Sequence, residues 1–433
     1  MAASISDVTE MASSTSDNPN TGETHSRVPV DEFPLLAKEE KDHTLQEGEA
    51  TTRSAEEMEK VLREMETKYA AYVRRDTYGI MGTGDICIWE KAVLVLALLV
   101  FVPIKVVLLF LIVFTYYLIC KLCTMGRLPI HNGFQESNGD SSVTPLNNGS
   151  AKSDAQAASN IATSSPKHEE TFAHISGMRR VIIVNSGRFL SRAILFVLGF
   201  FWITVTRRDK VRVGKEGEAA DGVDLHPSAI VSNHVSYVDI LYQMSASFPS
   251  FVAKRSVARL PLIGLISKCL GCVYVQREDK PSDFKGVAGI ICERLRTAAN
   301  NKMAPMMMLF PEGTTTNGNY LLPFKTGAFV AGTPVQPVIL KYPYSRFSPA
   351  WDTISGVRHV ILLLCQFINH LEVVWLPIYV PSEKEKSDPR LYANNVRMLM
   401  ASEGHLTQVE IGLQEKRIYH SFLNDYLASR VSQ

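Results

Sequence analysis

The chain has 433 residues, room for one large domain with membrane segments and tails but too little for two full enzymes. Its 45 Lys plus Arg offset 44 Asp plus Glu, so a net charge of +1 offers no global field to a polyanion, and nucleic acid is not an expected partner. Seven Cys without dense regular spacing argue against a disulfide framework and for a reducing compartment around the soluble part.

Residues 1–53 are rich in Ser, Thr, Glu and Asp, a composition that buries too little to offset chain entropy and is predicted to be disordered. They lack the compact apolar core of a secretory signal, so membrane entry is expected to depend on an internal segment. Residues 54–90 read as a charged amphipathic helix and a connector. Met58, Val61, Leu62, Met65, Tyr69 and Tyr72 recur at helical spacing, predicting a surface or membrane-interface helix.

Residues 91–123 are the transmembrane or re-entrant segment. From Ala92 to Cys120 nearly every residue is apolar, a run of about 29 that measures roughly 43 Å as a straight helix against a hydrocarbon core of roughly 30 Å. Pro103 bends it and Lys105 must snorkel or find a partner. A kinked span and a re-entrant hairpin both fit. Residues 124–170 form a low-complexity linker with an Asn148-Gly149-Ser150 sequon, which has no consequence in a cytosolic loop. Residues 171–210 are predicted to be a membrane-associated helical segment. Here Phe189 to Val205 is apolar and is followed by Arg207, Arg208, Lys210 and Arg212, as in an interfacial helix with a basic flank; a buried core helix fits nearly as well.

Residues 211–381 change texture to short apolar strands alternating with amphipathic helices. Strands are predicted at Pro227–Ser232, Ser250–Ala253, Gly271–Val275, Met306–Phe310 and Val335–Leu340, with helices at Val238–Ala246, Leu260–Leu270 and Ser282–Ala299 between them. The apolar run from His359 to Ile378 contains Gln366, Asn369, His370 and Glu372, so it reads as a helix followed by a strand. Alternation of this kind implies an α/β fold, a mostly parallel sheet flanked by helices. Residues 382–433 read as a C-terminal helical appendage.

Ligands in such sheets sit beyond the carboxyl ends of the strands. Asn233-His234 follows the first predicted strand, Lys254-Arg255 the second, Arg277 the third, and Pro311-Glu312-Gly313-Thr314-Thr315 the fourth. A base, cations and a carboxylate therefore converge on one edge. His234 and Asp239 are five residues apart, about 140° net on a regular helix, so they meet only if His234 sits in the turn before a helix starting near Ser236. The aspartate would then hold the imidazole tautomer while the ring takes a proton from an alcohol, itself a poor nucleophile at neutral pH. Lone His/Asp pairs are more often structural.

The blocks Asn233-His234-Val235-Ser236-Tyr237-Val238-Asp239, Gly271-Cys272-Val273-Tyr274-Val275-Gln276-Arg277, Phe310-Pro311-Glu312-Gly313-Thr314-Thr315 and Pro334-Val335-Gln336-Pro337-Val338 occur in order. Together they resemble the four motif blocks of the glycerolipid acyltransferase family, whose members acylate glycerol phosphate and lysophospholipids. The resemblance spans about Val211 to Tyr379. It implies the glycerolipid acyltransferase fold, with His234 as general base and Asp239 as its partner, Tyr274 and Arg277 on the acceptor phosphate, Glu312 and Gly313 on the acceptor side, and Pro337 in acyl-donor handling. Arg277 suits a bidentate grip on phosphate, or else pairs with Glu278 or Asp279 on the surface. Lys254 is either a second cation for the lipid head group or a solvated strand end. Gly313 and the run from Thr314 offer a tight turn whose N–H groups suit an anion; Glu312 would orient a cation or the acceptor, unless it simply pairs with Lys325.

Thr314-Thr315 stands where many phosphatidate-forming members carry Thr-Arg, which favours a phosphodiester acceptor over a dianionic lysophosphatidate. The segments Asp388 to Arg397 and Glu415 to His420 extend the resemblance to the plant lysophosphatidylethanolamine acyltransferases. The expectation is transfer from acyl-CoA to a lysophospholipid at the endoplasmic reticulum bilayer by direct attack, no Ser or Cys standing in a nucleophile elbow. Lysophosphatidate or lysophosphatidylcholine are the alternative acceptors, and a non-catalytic membrane scaffold or a hydrolase the remote ones. No cofactor is expected, acyl-CoA being a substrate. No metal is expected either: there is no D-x-[DN]-x-[DN]-G calcium loop, and a zinc site shared between Cys120/Cys123 and Cys269/Cys272 is disfavoured against ordinary core cysteines.

Overall fold

The computed structural model describes residues 46–127, 130–132, 169–172, 175–208, 226–275 and 281–431. Most of the tail at 1–53, most of the linker with its sequon, and Arg277 lie outside these residues.

The first helix, α1 (Gln46–Lys68), starts within the stretch expected to be disordered. Its apolar stripe is not a free surface. Leu62, and Tyr69 and Tyr72 just past the helix end, are buried together with Tyr419 and Leu423 near the C-terminus, while Met58 and Val61 stay exposed. Next come α2 (Ile88–Leu96), a π-helical turn at Ala97–Phe101, and α3 (Val102–Thr124), which run on as one helix of 37 residues, long and apolar enough to cross a membrane. Continuity rules out the hairpin. Pro103 has no N–H to give the Leu99 carbonyl, and the ladder widens into the π turn just before it.

This helix is tied to the rest of the protein along its length. Glu90 pairs with Arg346 at 2.6 Å near its start, and Lys105 Nζ finds its partner in the Gln366 carbonyl at 2.6 Å. Arg179 donates to the Cys123 and Met125 carbonyls at 3.3 and 3.1 Å at its end. The outward side, from Val95 through Leu99, Phe110 and Leu111 to Leu122, is exposed and apolar.

Strands β1 (Ile130–Asn132) and β2 (Glu169–Thr171) form a small antiparallel pair within the expected linker. Helix α4 (Gly177–Val197) packs on α3. The apolar stretch 189–205 is not one helix. Gly199 takes φ +92°, a conformation open to glycine, and the chain turns out of α4 into a strand, β3 (Ile203–Arg207). The sheet thus begins at Ile203, ahead of the expected domain boundary at 211.

The main sheet holds β3, β4 (Ala229–Ser232), β5 (Ser250–Lys254), β6 (Val273–Val275), β7 (Met307–Leu309), β9 (Val335–Lys341) and β10 (Leu371–Trp375) in the order β3-β10-β9-β4-β7-β5-β6. Every pairing is parallel except β9 with β10. The α/β architecture is as expected. Alternate residues of each strand face opposite ways. Ile230, Met308, Val338 and Leu340 point into a core shared with α3, α4, α5 (Val238–Ala246), α6 (Ile263–Leu270) and α8 (Gly356–Cys365). Ala229, Val231, Met307 and Ile339 face Leu295 of α7 (Pro281–Asn300) and Tyr392, Val396 and Met400 of α10 (Pro389–Gly404), which follows the short α9 (Glu383–Ser387).

The C-terminal region is therefore no appendage. Helix α10 covers one face of the sheet, and β11 (Thr407–Gln408) pairs with β8 (Tyr320–Leu321) directly after the Glu312 loop. The last helix, α11 (Leu413–Val431), meets α1.

Candidate active site

Strand β4 ends at Ser232, and the next residues are fixed by backbone bonds to distant segments. Asn233 exchanges two side-chain hydrogen bonds with the Leu340 main chain, at 2.9 and 2.8 Å, locking the end of β4 to β9. His234 then lies in the turn ahead of α5, as the His–Asp spacing requires. Its Nδ1 is 2.9 Å from Asp239 Oδ2, which also accepts from the amides of Val235 and Ser236 at 2.8 and 3.0 Å. The Tyr342 hydroxyl donates to Asp239 Oδ1 at 2.5 Å.

A carboxylate only accepts, so Nδ1 carries the proton and Nε2 keeps its lone pair. Nε2 is buried and has no partner among the described residues. The ring is stacked on Phe310, centroids 4.0 Å apart and planes 18° from parallel, so it cannot tip away from this orientation without losing that contact. The imidazole is held in one tautomer and one pose, with its acceptor nitrogen in reserve. Tyr342 is held neutral, since burial first and the Asp239 charge second push its phenol well above the usual range.

Glu312 Oε1 accepts from the His234 amide at 2.7 Å and its Oε2 from the Leu322 amide at 2.9 Å, so this carboxyl group braces the turn that carries His234. Burial pushes its pKa up to about 8, against the pull of those two amides and of Arg397. Lys325 lies across Gly313: a Cβ there would come within 2.8 Å of its Nζ, and Gly313 has φ +73°. The turn is less open to an anion than expected. The Gly313 amide goes to the Phe310 carbonyl at 3.2 Å and the Thr316 amide to the His234 carbonyl at 3.0 Å. Thr314 is buried, and the Thr315 hydroxyl bonds the Trp351 carbonyl.

Of the other expected site residues, Lys254 is a partly exposed strand end on the same carboxyl edge of the sheet. Tyr274 is buried, its hydroxyl 2.6 Å from Ser267 Oγ, which makes it part of the packing between β6 and α6. Pro337 is buried in β9, opposite Val231 and three residues short of the catalytic turn. Cys120 and Cys269 are both buried in the same apolar core, and among the described residues no three His, Cys, Asp or Glu side chains are placed to hold a metal. Sequence reasoning missed Tyr342. It follows β9 directly, so the rule that picked the other strand ends would have found it.

The Acyltransferase family model matches residues 203–341, from the first strand of the sheet to the end of β9. The lysophospholipid acyltransferase LPEAT1 of Arabidopsis thaliana is 52% identical over 388 residues, 87% of this chain and 92% of that protein. A lysophosphatidylcholine acyltransferase of Drosophila melanogaster is 43% identical over 44% of this chain and 35% of its own length. A solved structure, the 1-acyl-sn-glycerophosphate acyltransferase PlsC of Thermotoga maritima, gives a TM-score of 0.34 at 19% identity over 52% of this chain and 80% of that one. The chain belongs to the acyltransferase family and is an acyltransferase.

Proposed function

We propose that this enzyme transfers an acyl group from acyl-CoA to the free hydroxyl of a lysophospholipid, with lysophosphatidylethanolamine the preferred acceptor. The observation that carries the mechanism is His234 Nε2, a lone pair with no internal partner on a ring whose other nitrogen is fixed by Asp239. The hydroxyl gives its proton to Nε2 as its oxygen attacks the thioester carbonyl. The imidazolium so formed is stabilised by Asp239, whose charge is held by two amides and a phenol, and it returns the proton to the departing thiolate of coenzyme A. No covalent acyl-enzyme is needed. The acceptor class rests on the strong likeness to a lysophospholipid acyltransferase over nearly all of both chains, and the preference for a phosphodiester on Thr315, where an arginine would suit a dianion.

The reaction takes place at the endoplasmic reticulum bilayer in this reading. The exposed apolar side of α2 and α3 continues into Phe367, which contacts both Phe101 and Phe201, and into Trp202 and Ile368, forming an apolar seat for lipid on the domain itself. Acyl transfer from labelled oleoyl-CoA to a panel of lysophospholipids, in membranes carrying wild type or His234→Ala, tests the proposal. Product with a preferred head group that vanishes in the variant is expected; equal product from both would remove His234 as base.

A further inference from the structure

The reaction as described leaves the C-terminal helix and the segment around residues 70–74 without a task, and the two meet at one ammonium. Lys416 of α11 donates from Nζ to the Thr315 carbonyl at 2.9 Å, to Thr315 Oγ1 at 2.7 Å and to the Trp351 carbonyl at 3.2 Å. The same two backbone stretches grip the catalytic turn. The Thr316 amide donates to the His234 carbonyl at 3.0 Å, and the Trp351 amide to the Val235 carbonyl at 2.8 Å. Lys416 thus closes a ring of hydrogen bonds that runs from Nζ through Thr315 and Thr316 to His234 and Val235, and back through Trp351.

The ammonium is itself placed from the N-terminal side. It sits 5.7 Å from the centroid of the Tyr72 ring, whose hydroxyl donates to the Gly412 carbonyl at 2.6 Å just ahead of α11. Asn317, at the end of the Thr run, donates from Nδ2 to the Ala70 and Val73 carbonyls at 2.8 and 3.0 Å.

We propose that Lys416 is a positioning residue for His234: its ammonium ties together the two backbone segments that flank the catalytic turn and so sets where Nε2 stands relative to the acceptor hydroxyl. Bonds from a cation are stronger than neutral ones, and three of them on one group, two to carbonyl oxygens and one to a hydroxyl, leave the flanking segments little freedom to separate. A base must lie within about 3 Å of the proton it takes, and a misplacement of about 1 Å costs on the order of a hundredfold in rate. The inference rests on His234 being the base of the reaction proposed above.

The test compares the purified full chain with Lys416→Met, which keeps length without donors, Lys416→Arg, which restores donors and charge, and Tyr72→Phe, which keeps the ring and frees Gly412. Acyl transfer from oleoyl-CoA to lysophosphatidylethanolamine is followed with both substrates varied. In Lys416→Met kcat is expected to fall roughly 10- to 100-fold with both KM values within about threefold of wild type, the split that a displaced base produces. Lys416→Arg should recover most of the loss, and Tyr72→Phe should show a smaller drop of the same kind. An unchanged kcat in Lys416→Met, a loss confined to KM, or no recovery with arginine overturns the proposal. Should Lys416→Met not accumulate, wild-type kcat in Tyr72→Phe overturns it. Wild type that acylates no lysophospholipid overturns the functional assignment instead, so the two failures are distinguishable.

Discussion

The turn around His234 and the long helix at 88–124 are built on opposite terms. At the turn, four donors converge on the Asp239 carboxylate and two on Glu312, each within 3.0 Å and all buried. Along the helix, whole turns of apolar side chains face outward, and a few polar ties such as Glu90–Arg346 and Lys105–Gln366 hold it to the domain. Hydrogen bonds are directional, so the first region is sensitive to single atoms. Apolar burial scales with area and has no preferred direction, so the second tolerates exchange within its class and responds to charge.

The sharpest way to break this contrast is Asp239→Asn, an exchange of one oxygen for an amide. It removes the acceptor that fixes the imidazole tautomer and is expected to lower kcat on the order of 10³- to 10⁴-fold while the protein stays membrane-bound. Activity equal to wild type would show that the pair is merely structural. Tyr342→Phe deletes the bond to Oδ1 and leaves the amides in place; a hydrogen bond to a charged group is worth about 1.5 kcal/mol or more, so kcat should fall roughly tenfold. On the helix the comparable atomic change, Leu111→Met, should do nothing measurable. Leu99→Glu with Phe110→Glu should shift the protein from the membrane pellet toward the supernatant, each buried acid opposing insertion by about 2.5 kcal/mol. Unchanged partition would remove the helix as the lipid seat.

The smallest expected effect is on stability against pH. Glu312 ionises near pH 8 in the folded protein against an ordinary value of 4.5, so its contribution is complete below pH 4.5 and is lost as pH rises through 8. The melting temperature of the solubilised protein should decline between about pH 5 and pH 8.5, and Glu312→Gln should lower the curve but flatten that slope. An equally steep slope in the variant would assign the dependence to another group.

Much of the molecule was legible in short-range pattern. Helix α5 has the bounds that periodicity predicts, Val238–Ala246, and β5, β7 and β9 lie within a residue or so of their expected ends. His234 falls in the turn because a five-residue step to Asp239 excludes two regular helical positions. Where the pattern was ambiguous, tertiary pairing decided: Ile203 and Val205 end the apolar stretch that begins at Phe189, yet they belong to a strand, with β10 alongside. The stripe from Met58 to Tyr72 had a helical period but no stated partner, and the partner proved to be α11.

By itself the sequence determined the pairing of His234 with Asp239, the alternation of strands and helices, and the long apolar helix, because each depends on residues within a few positions of one another. Only the tertiary structure assigned Glu312 to the backbone of His234, brought Tyr342 to Asp239 across 103 positions, and set Lys416 on Thr315 across 101. Spacing along a chain encodes which faces of a helix or strand point together. It carries no term for which distant segments meet, since that is settled by packing the whole sheet and its covering helices at once.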